Sequence, residues 1–285
     1  MRRITLRANL LIASGLACSA ASANGVFTPG LDVSAVVGKS VLVNNADWNA
    51  QVEYSFLRDD VEGRRALVNL NKSDSSKVYE VTTIEGSPYE RLVSINNHPL
   101  TSAQRQEEQN KLERETLRRQ RETPHERKSR LAGYRDERAE EHLLMQQMIS
   151  AFAFEFAGEE QIDGIACYVL NAKPNPEYRP PVEKAKVLTG MKGRLWIDKA
   201  HYHWVKVQAE VIRPVEFGFF IAKVKPGTTF ELRQAPVGGV WLPKSFVETV
   251  SATVLGFYGL KTREETYFSS YRQIMLNADS RDSAK

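Results

Sequence analysis

Apolar and polar residues alternate along much of this 285-residue chain. The clearest example lies within residues 193–211, where apolar and polar side chains take turns: Val205, Val207, Ala209 and Val211 alternate with Lys206, Gln208 and Glu210. A period of two puts the two sets on opposite faces of a β-strand. We therefore predict a strand with a buried valine face and a solvated face on the convex surface of a sheet.

The same pattern recurs on both sides of this stretch. Residues 51–97 predict a β-meander with a turn at Asp59-Asp60, and residues 154–174 predict two strands around Ile162-Asp163-Gly164. About ten to eleven strands are expected in all, which is large for one flat open sheet. We predict a mainly β fold with α-helices, built on a curved antiparallel half-barrel sheet with one solvated face.

A helical insertion interrupts the strands over about residues 101–157. Thr101 or Ser102 caps its first helix, and Pro124 divides it into two helices. Eleven basic and ten acidic side chains occur between residues 101 and 142. A helix this polar is held by ion pairs at three- and four-residue spacing or is partly frayed.

The second helix of the insertion changes character near its end. Apolar side chains recur there at four-residue steps, at Leu144, Met148 and Phe152. Such a stripe packs in a core or lines a soft lipid site, and we expect this helix to cover the concave face of the sheet. Two segments have weaker patterns: residues 24–50 predict a lead-in with a short helix or edge strand, and residues 174–191 predict a proline-rich polar connection.

The first 23 residues have the layout of a secretory signal peptide. Basic residues precede a short apolar run from Leu10 to Ala17, and Ala21-Ser22-Ala23 forms a small-residue cleavage site. We predict export to the periplasm as one mature domain, residues 24–285, with no transmembrane span after cleavage. Cys18 resembles a lipid-attachment cysteine, but Gly15 stands where leucine is usual, and we favour its removal with the signal.

Removal of the signal changes the charge balance. The formal net charge of +4 includes three signal arginines, so 36 basic and 35 acidic side chains remain. This balance gives no reason to expect a nucleic-acid partner. Cys167 is then the one cysteine left, and because it lies in an apolar run we expect a buried small hydrophobe and not a nucleophile.

Candidate chemistry is sparse. His201 and His203 are two residues apart near a hairpin turn, but a zinc site needs three or four ligands, and turn histidines are the simpler interpretation. Acidic pairs such as Glu264-Glu265 adjoin in sequence, so on a strand they face opposite sides and are expected to be solvated. Catalytic and phosphate-binding motifs are missing. We therefore predict no enzyme activity, no metal and no cofactor.

The strongest remaining signal is apolar. Three phenylalanines surround a glycine at residues 217–220, and a second apolar segment spans residues 254–260. In water such connections would promote aggregation, so we expect a helix, a partner or a ligand to cover them. The residues predicted to line or gate an apolar cavity are Leu144, Met148, Phe152, Val205, Val207, Ala209, Phe217, Phe219, Phe220 and Phe230.

A set of short motifs resembles one known family. The motifs are Ile162-x-Gly164-x-x-Cys167-Tyr168-x-Leu170-x-x-x-Pro174, then Leu195-Trp196-Ile197-Asp198, Val205-x-Val207, Trp241-Leu242-Pro243 and a closing strand over residues 262–271. Together they resemble the LolA/LolB-like periplasmic lipoprotein carriers, and more closely the exported outer-membrane lipoprotein-sorting proteins. The resemblance implies a half-open antiparallel barrel whose concave face holds acyl chains beneath helical lids, without catalysis or metal. The insertion over residues 101–142 is longer and more polar than the resemblance implies.

Two functions fit the sequence. In the first, an exported protein binds a lipid or the acyl chain of a lipoprotein in an apolar concavity, with a role in lipoprotein sorting or outer-membrane biogenesis and with peripheral membrane contact. In the second, a non-enzymatic envelope-interaction or stress-sensing module uses the charged helices as an arm that binds another envelope protein.

Overall fold

The computed structural model describes residues 30–64, 75–217, 222–254 and 258–274. The helices are α1 Val33–Ala50, α2 Ser102–Gln120 and α3 Pro124–Ala151, with 3-10 helices at Gln51–Glu53 and Glu183–Gly190. The strands are β1 Tyr54–Arg64, β2 Ser75–Ile84, β3 Ser87–Ile95, β4 His98–Pro99, β5 Phe152–Ile162, β6 Ile165–Pro174, β7 Met191–Asp198, β8 Trp204–Val211, β9 Val215–Phe217, β10 Ala222–Val224, β11 Thr229–Val237, β12 Val240–Val254 and β13 Tyr258–Gln273. None of these helices is long and apolar enough to cross a membrane.

All thirteen strands belong to one antiparallel sheet. The order along it is β4-β3-β2-β1-β13-β12-β11-β8-β7-β6-β5, and the short strands β9 and β10 branch from β12. The first and last strands of this order do not pair with each other, so the sheet stays open. The predicted antiparallel half-barrel with helices is therefore confirmed. The structure has thirteen strands where about ten to eleven were predicted. The difference comes from β4, β9 and β10, which have only two or three residues each and are too short to give an alternating pattern.

The main core lies between one half of this sheet and a layer of helices. Side chains of β6, β7, β8 and β11 pack there against α1, the end of α3 and the 3-10 helix Glu183–Gly190. That 3-10 helix lies within the connection predicted over residues 174–191, and its Val187 and Leu188 are fully buried. The predicted polar connection thus contributes to the core, because its apolar residues cluster at its end.

Helix α1 is the largest departure from the expected secondary structure. Residues 24–50 predicted a short helix or edge strand, yet α1 has 18 residues and begins at an Asp32 cap whose carboxylate accepts from the Ala35 amide at 3.0 Å. Its buried side chains include Val36, Val37 and Val41. Valine is a weak helix former, so burial against the sheet, and not local propensity, stabilises this helix.

The helical insertion begins and divides as predicted. Thr101 and Thr123 each form a capping box, and Pro124 is the first residue of α3. The helix ends earlier than expected, however, because Phe152 begins β5. Phe152 is still buried beside Met148, so the four-residue step identified a real contact across a helix-to-strand junction.

Helix α2 covers an edge of the sheet. Arg119 is buried and donates to the carbonyl oxygens of Ile84, Ser87 and Pro88 at 2.9, 2.8 and 3.1 Å. The Leu92 amide on β3 donates to the Glu108 carboxylate at 3.3 Å. An edge strand whose polar groups are satisfied in this way is protected from pairing with other chains. The charged helix is therefore docked along its length and is not a free arm.

Two predicted strand features differ from the structure. Asp59 and Asp60 lie inside β1 and do not form a turn. In β8, Lys206 pairs with Trp196 and Trp204 pairs with Ile197, which leaves Val205 in a bulge. A bulge shifts the alternation of the faces, so Val205 lies on the opposite face from Val207.

Candidate apolar groove on the covered face of the sheet

Five of the predicted cavity residues meet in the main core. They are Met148, Phe152, Val207, Ala209 and Phe230. Val205 instead packs in a second cluster with Cys167, Val169, Trp196 and Trp241. The predicted gate over residues 217–220 lies outside the described residues apart from the backbone of Phe217, and the side chain of Leu144 also lies outside them.

Three small residues lie side by side on the covered face. Ala172 on β6 pairs with Gly193 on β7, which pairs with Ala209 on β8. Directly paired residues share a face, so their low side chains leave a groove that runs across the strands. Phe154 of β5 begins this line, and Phe230 of β11 follows Ala209. We call the residues Phe154, Ala172, Gly193, Ala209 and Phe230 the apolar row.

Gly193 is required in this row by the close approach of two strands. A Cβ atom at this position would lie 2.5 Å from the Gln208 carbonyl oxygen and 3.0 Å from the Ala209 Cβ. Real Cβ atoms do not tolerate the first contact, so another residue would force β7 and β8 apart. The groove therefore has its lowest point at Gly193.

The groove is closed in this conformation. Met148 of α3 covers it, and Phe152, Leu195 and Val207 on the same face of the sheet contribute to its wall. The remaining cavity has a volume of about 10 Å³. This volume is about the minimum for one water molecule and far below the roughly 300–1,000 Å³ of ligand pockets. An acyl chain can enter only if the helical cover moves.

Helix α1 is joined to the sheet by polar contacts. The Trp204 indole donates to the Ser40 hydroxyl at 3.1 Å, and the Trp241 amide donates to one Asp47 oxygen at 3.1 Å. The other Asp47 oxygen lies 2.7 Å from His203 Nδ1. The His203 ring also stacks on the Trp241 ring, with centroids 5.1 Å apart. His203 was predicted as a polar turn residue, and the structure adds these contacts with Asp47 and Trp241.

A buried carboxyl group extends the row beyond Phe230. Glu248 on β12 pairs with Phe230 on one side and with Glu264 of β13 on the other, and Glu264 pairs with Glu62 of β1. Glu248 is only 6% exposed. Its burial, followed by the negative charge of Glu264, raises the pKa of Glu248 from 4.5 to about 8. Its Oε2 atom is buried without a hydrogen-bond partner.

Sequence reasoning did not identify Glu248, Ser40 or Asp47. Polar residues at 40, 44 and 47 follow a helical spacing within a valine-rich segment, and this spacing could have indicated a buried polar stripe. For Glu248 no local signal exists, because a glutamate between a phenylalanine two residues before and a valine two residues after resembles any strand position.

A second cavity lies on the opposite face of the sheet. Its volume is about 280 Å³, and its wall includes Ile162, Ile165 and Val205. Lys244 at its rim is 2.9 Å from Asp163. This outer cavity is larger than the closed groove, and within the described ranges α1 and α3 pack on the other face of the sheet.

Metal and nucleophile chemistry find little support in the described ranges. No group of three or more His, Cys, Asp and Glu side chains there is placed to hold a metal ion. Cys167 is fully buried, and burial together with the charge of Asp198 raises the pKa of its thiol to about 11. A thiol with this pKa is a weak nucleophile near neutral pH, in agreement with its predicted packing role.

Comparisons with known proteins find similar structures but no similar curated sequence. No family model and no curated protein matches the chain. Among solved structures, an outer membrane lipoprotein-sorting protein domain from Vibrio parahaemolyticus is 10% identical, with a TM-score of 0.36, over 87% of this chain and 98% of that one. The LolA superfamily protein NE2245 from Nitrosomonas europaea is also 10% identical, with a TM-score of 0.33, over 88% and 96%.

A DUF1329 family protein from Desulfovibrio piger is 12% identical, with a TM-score of 0.28, over 86% of this chain and 95% of that one. The similar structures thus include the group that the sequence motifs resemble. At these identities and TM-scores, the function of this chain has to be derived from its own residues.

Proposed function

We propose that this protein is a non-enzymatic binding protein that binds an acyl chain in the groove along the apolar row. The observation that supports this most directly is the pairing of Ala172, Gly193 and Ala209 on three neighbouring strands beneath Met148. Methionine is unbranched and flexible, so it fills the groove when empty and can repack around a ligand. Helix α1 and the end of α3 form the cover.

The energetics of this binding are favourable. Each methylene removed from water contributes about 0.8 kcal/mol, so a chain of about 12 carbons offers roughly 10 kcal/mol before costs. Displacing the cover and losing freedom on binding consume several kcal/mol of this sum. The remainder is enough for useful affinity without an energy source at the protein.

Location and pathway belong to the same proposal. The signal layout of residues 1–23 directs the chain to the periplasm, where acyl chains of lipids and lipoproteins need cover in transit. The role proposed is in lipoprotein sorting or outer-membrane biogenesis, with transient contact at a membrane surface. The envelope-arm alternative receives less support, because Arg119 and Glu108 bind α2 to the sheet edge.

The test begins with protein purified from the periplasm. Mass spectrometry of organic extracts should detect a bound acyl compound, and added acyl ligands should raise the melting temperature. Ala209→Val narrows the groove and should weaken acyl binding at least tenfold. Ala235→Val, the matched change at the outer cavity, should not. Absence of bound lipid together with absence of any thermal shift would refute the proposal.

A further inference from the structure

Along one line of paired residues, the covered face changes from apolar to acidic. From Phe154 to Phe230 the line is apolar, and the next three positions are Glu248, Glu264 and Glu62. Neighbouring strands are about 4.8 Å apart, so the five steps from Phe154 to Glu248 cover about 24 Å. One acyl chain spans half of a hydrocarbon core, about 15 Å. The line is therefore long enough for a chain with its head group at Glu248.

Glu248 has the properties of a head-group position. It is more than nine-tenths buried, and its Oε2 atom has no hydrogen-bond partner. A buried acceptor without a donor is costly and rare in folded proteins. On one side it adjoins Phe230, which is 1% exposed, and on the other it adjoins Glu264, which is exposed to solvent. The carboxyl group thus lies between the apolar part of this line and its solvent-exposed end.

The charged groups around this end of the line are mainly acidic. The described titratable and charged side chains on the same face belong to β13, β1, β2 and β3, as their register shows: Glu264, Glu62, Asp60, Arg58, Lys77, Tyr79 and Glu90. Glu264 and Glu62 are the nearest to Glu248 in this register, and Lys77 pairs with Asp60 further along β1. Arg58 is already bound to Asp60 at 3.0 Å and to Glu90 at 2.6 Å. The face of β11 next to Glu248 contributes Phe230 and no charge. This end of the line therefore attracts a cation and repels an anion.

We propose that the groove binds amphiphiles with a positively charged, hydrogen-bond-donating head group, such as a primary amine. The ammonium group donates to Glu248 Oε2 and lies near Glu264, while the chain extends over Ala209 and Gly193 towards Phe154. This inference rests on the proposed function, because it needs the covered face to accept an acyl chain. It adds the head-group class, which the apolar groove alone does not determine.

The pH dependence of binding follows from the same geometry. The raised pKa of Glu248 means that much of this carboxyl group is protonated near neutral pH. An ammonium ion favours the ionised carboxylate, so amine binding should tighten as the pH rises from 6 to 8.5. A carboxylate head group should show no such gain.

The experiment uses the mature protein with three probes below their micellar concentrations: dodecylamine, dodecanol and dodecanoate. Isothermal titration calorimetry at pH 8 should show dodecylamine binding at least tenfold more tightly than dodecanoate. Glu248→Gln should weaken dodecylamine binding about tenfold, remove its pH dependence and leave dodecanol binding unchanged. Circular dichroism checks that this variant is folded, and Glu264→Gln should give a smaller loss because Glu264 is exposed.

The possible failures are distinguishable. Equal affinities for the three probes, all reduced by Ala209→Val, would support the proposed function and overturn the head-group inference. Binding of none of them would refute both. Probe binding that Ala235→Val reduces and Ala209→Val does not would place the site in the outer cavity, and this would overturn both as well.

Discussion

Side chains alternate between the two faces in both halves of the sheet, but the residues on the covered face differ between the halves. In the half formed by β5, β6, β7, β8 and β11, this face is apolar and lies under helices. In the half formed by β1, β2, β3 and β13, it has charged residues such as Arg58, Asp60 and Glu62, and the Arg58–Glu90 ion pair connects β1 with β3. Alternation alone therefore does not separate a core from a polar surface.

Strand β12 is the boundary between these halves. Its Phe246 packs against the main core, while Glu248, two residues further, adjoins the acidic line. The comparison indicates that the apolar half supplies most of the stability and that the polar half sets the charge next to Glu248. Four predictions test this division, from the largest expected effect to the smallest.

The first prediction compares one phenylalanine from each half. Phe230→Ala should lower the free energy of unfolding by about 3–5 kcal/mol, because it opens a cavity in a packed core. Phe268→Ala in the polar half, where Phe268 is only partly buried and contacts Phe56, should cost less than half as much. Urea denaturation measures both, and equal losses would contradict the division.

The second prediction concerns the pH dependence of stability at the boundary. Between its ordinary value of 4.5 and its folded pKa of about 8, Glu248 binds a proton in the folded state and not in the unfolded state. Its contribution to stability is therefore complete below pH 4.5 and is lost as the pH rises to 8. The slope is at most about 1.4 kcal/mol per pH unit, and we expect a loss of about 3 kcal/mol between pH 5 and pH 8.

Chemical denaturation at pH 5 and pH 8 measures this change. Glu248→Gln should flatten the profile and make the protein more stable than wild type at pH 8. Glu264→Gln should flatten it only in part, because burial is the larger cause of the raised pKa. A wild-type profile that rises between pH 5 and 8 would contradict the assignment.

The third prediction tests whether α2 belongs to the sheet. Arg119→Ala leaves carbonyl oxygens on and beside β3 unpaired and should cost about 2–3 kcal/mol. Hydrogen exchange at β3 should accelerate. Arg114→Ala is the control, since Arg114 is exposed and its ion pair with Glu107 is long, at 3.5 Å. The effect of this substitution should stay within about 0.5 kcal/mol. If deletion of residues 105–140 left cooperative unfolding intact, α2 would be a separable arm after all.

The fourth prediction concerns the attachment of α1. His203→Ala removes one partner of Asp47, whose carboxylate also accepts from the Trp241 amide. The substitution should cost about 1–2 kcal/mol, with faster hydrogen exchange in α1. His201→Ala changes a histidine two residues away whose side chain is 75% exposed, so it should have little effect. Equal effects of the two substitutions would show that α1 does not depend on this contact.

Local chemistry explains which elements could be predicted. The hairpin at Asp163-Gly164 was expected from its turn residues, and both adopt positive φ, 50° and 83°. The helix starts at Thr101 and Pro124 were likewise visible, because caps and proline act within one turn. The length of helix α1 was not, since its valines favour a strand locally and become helical by packing on the sheet.

The sequence by itself determined the antiparallel strands, the helical insertion and most of the apolar residues that form the core, because period and turn chemistry act over a few residues. Only the tertiary structure decided the site. The bulge that separates Val205 from Val207, the row of Ala172, Gly193 and Ala209, and the burial of Glu248 between Phe230 and Glu264 all depend on strand register. Register joins residues far apart in the chain, and no local pattern contains that information.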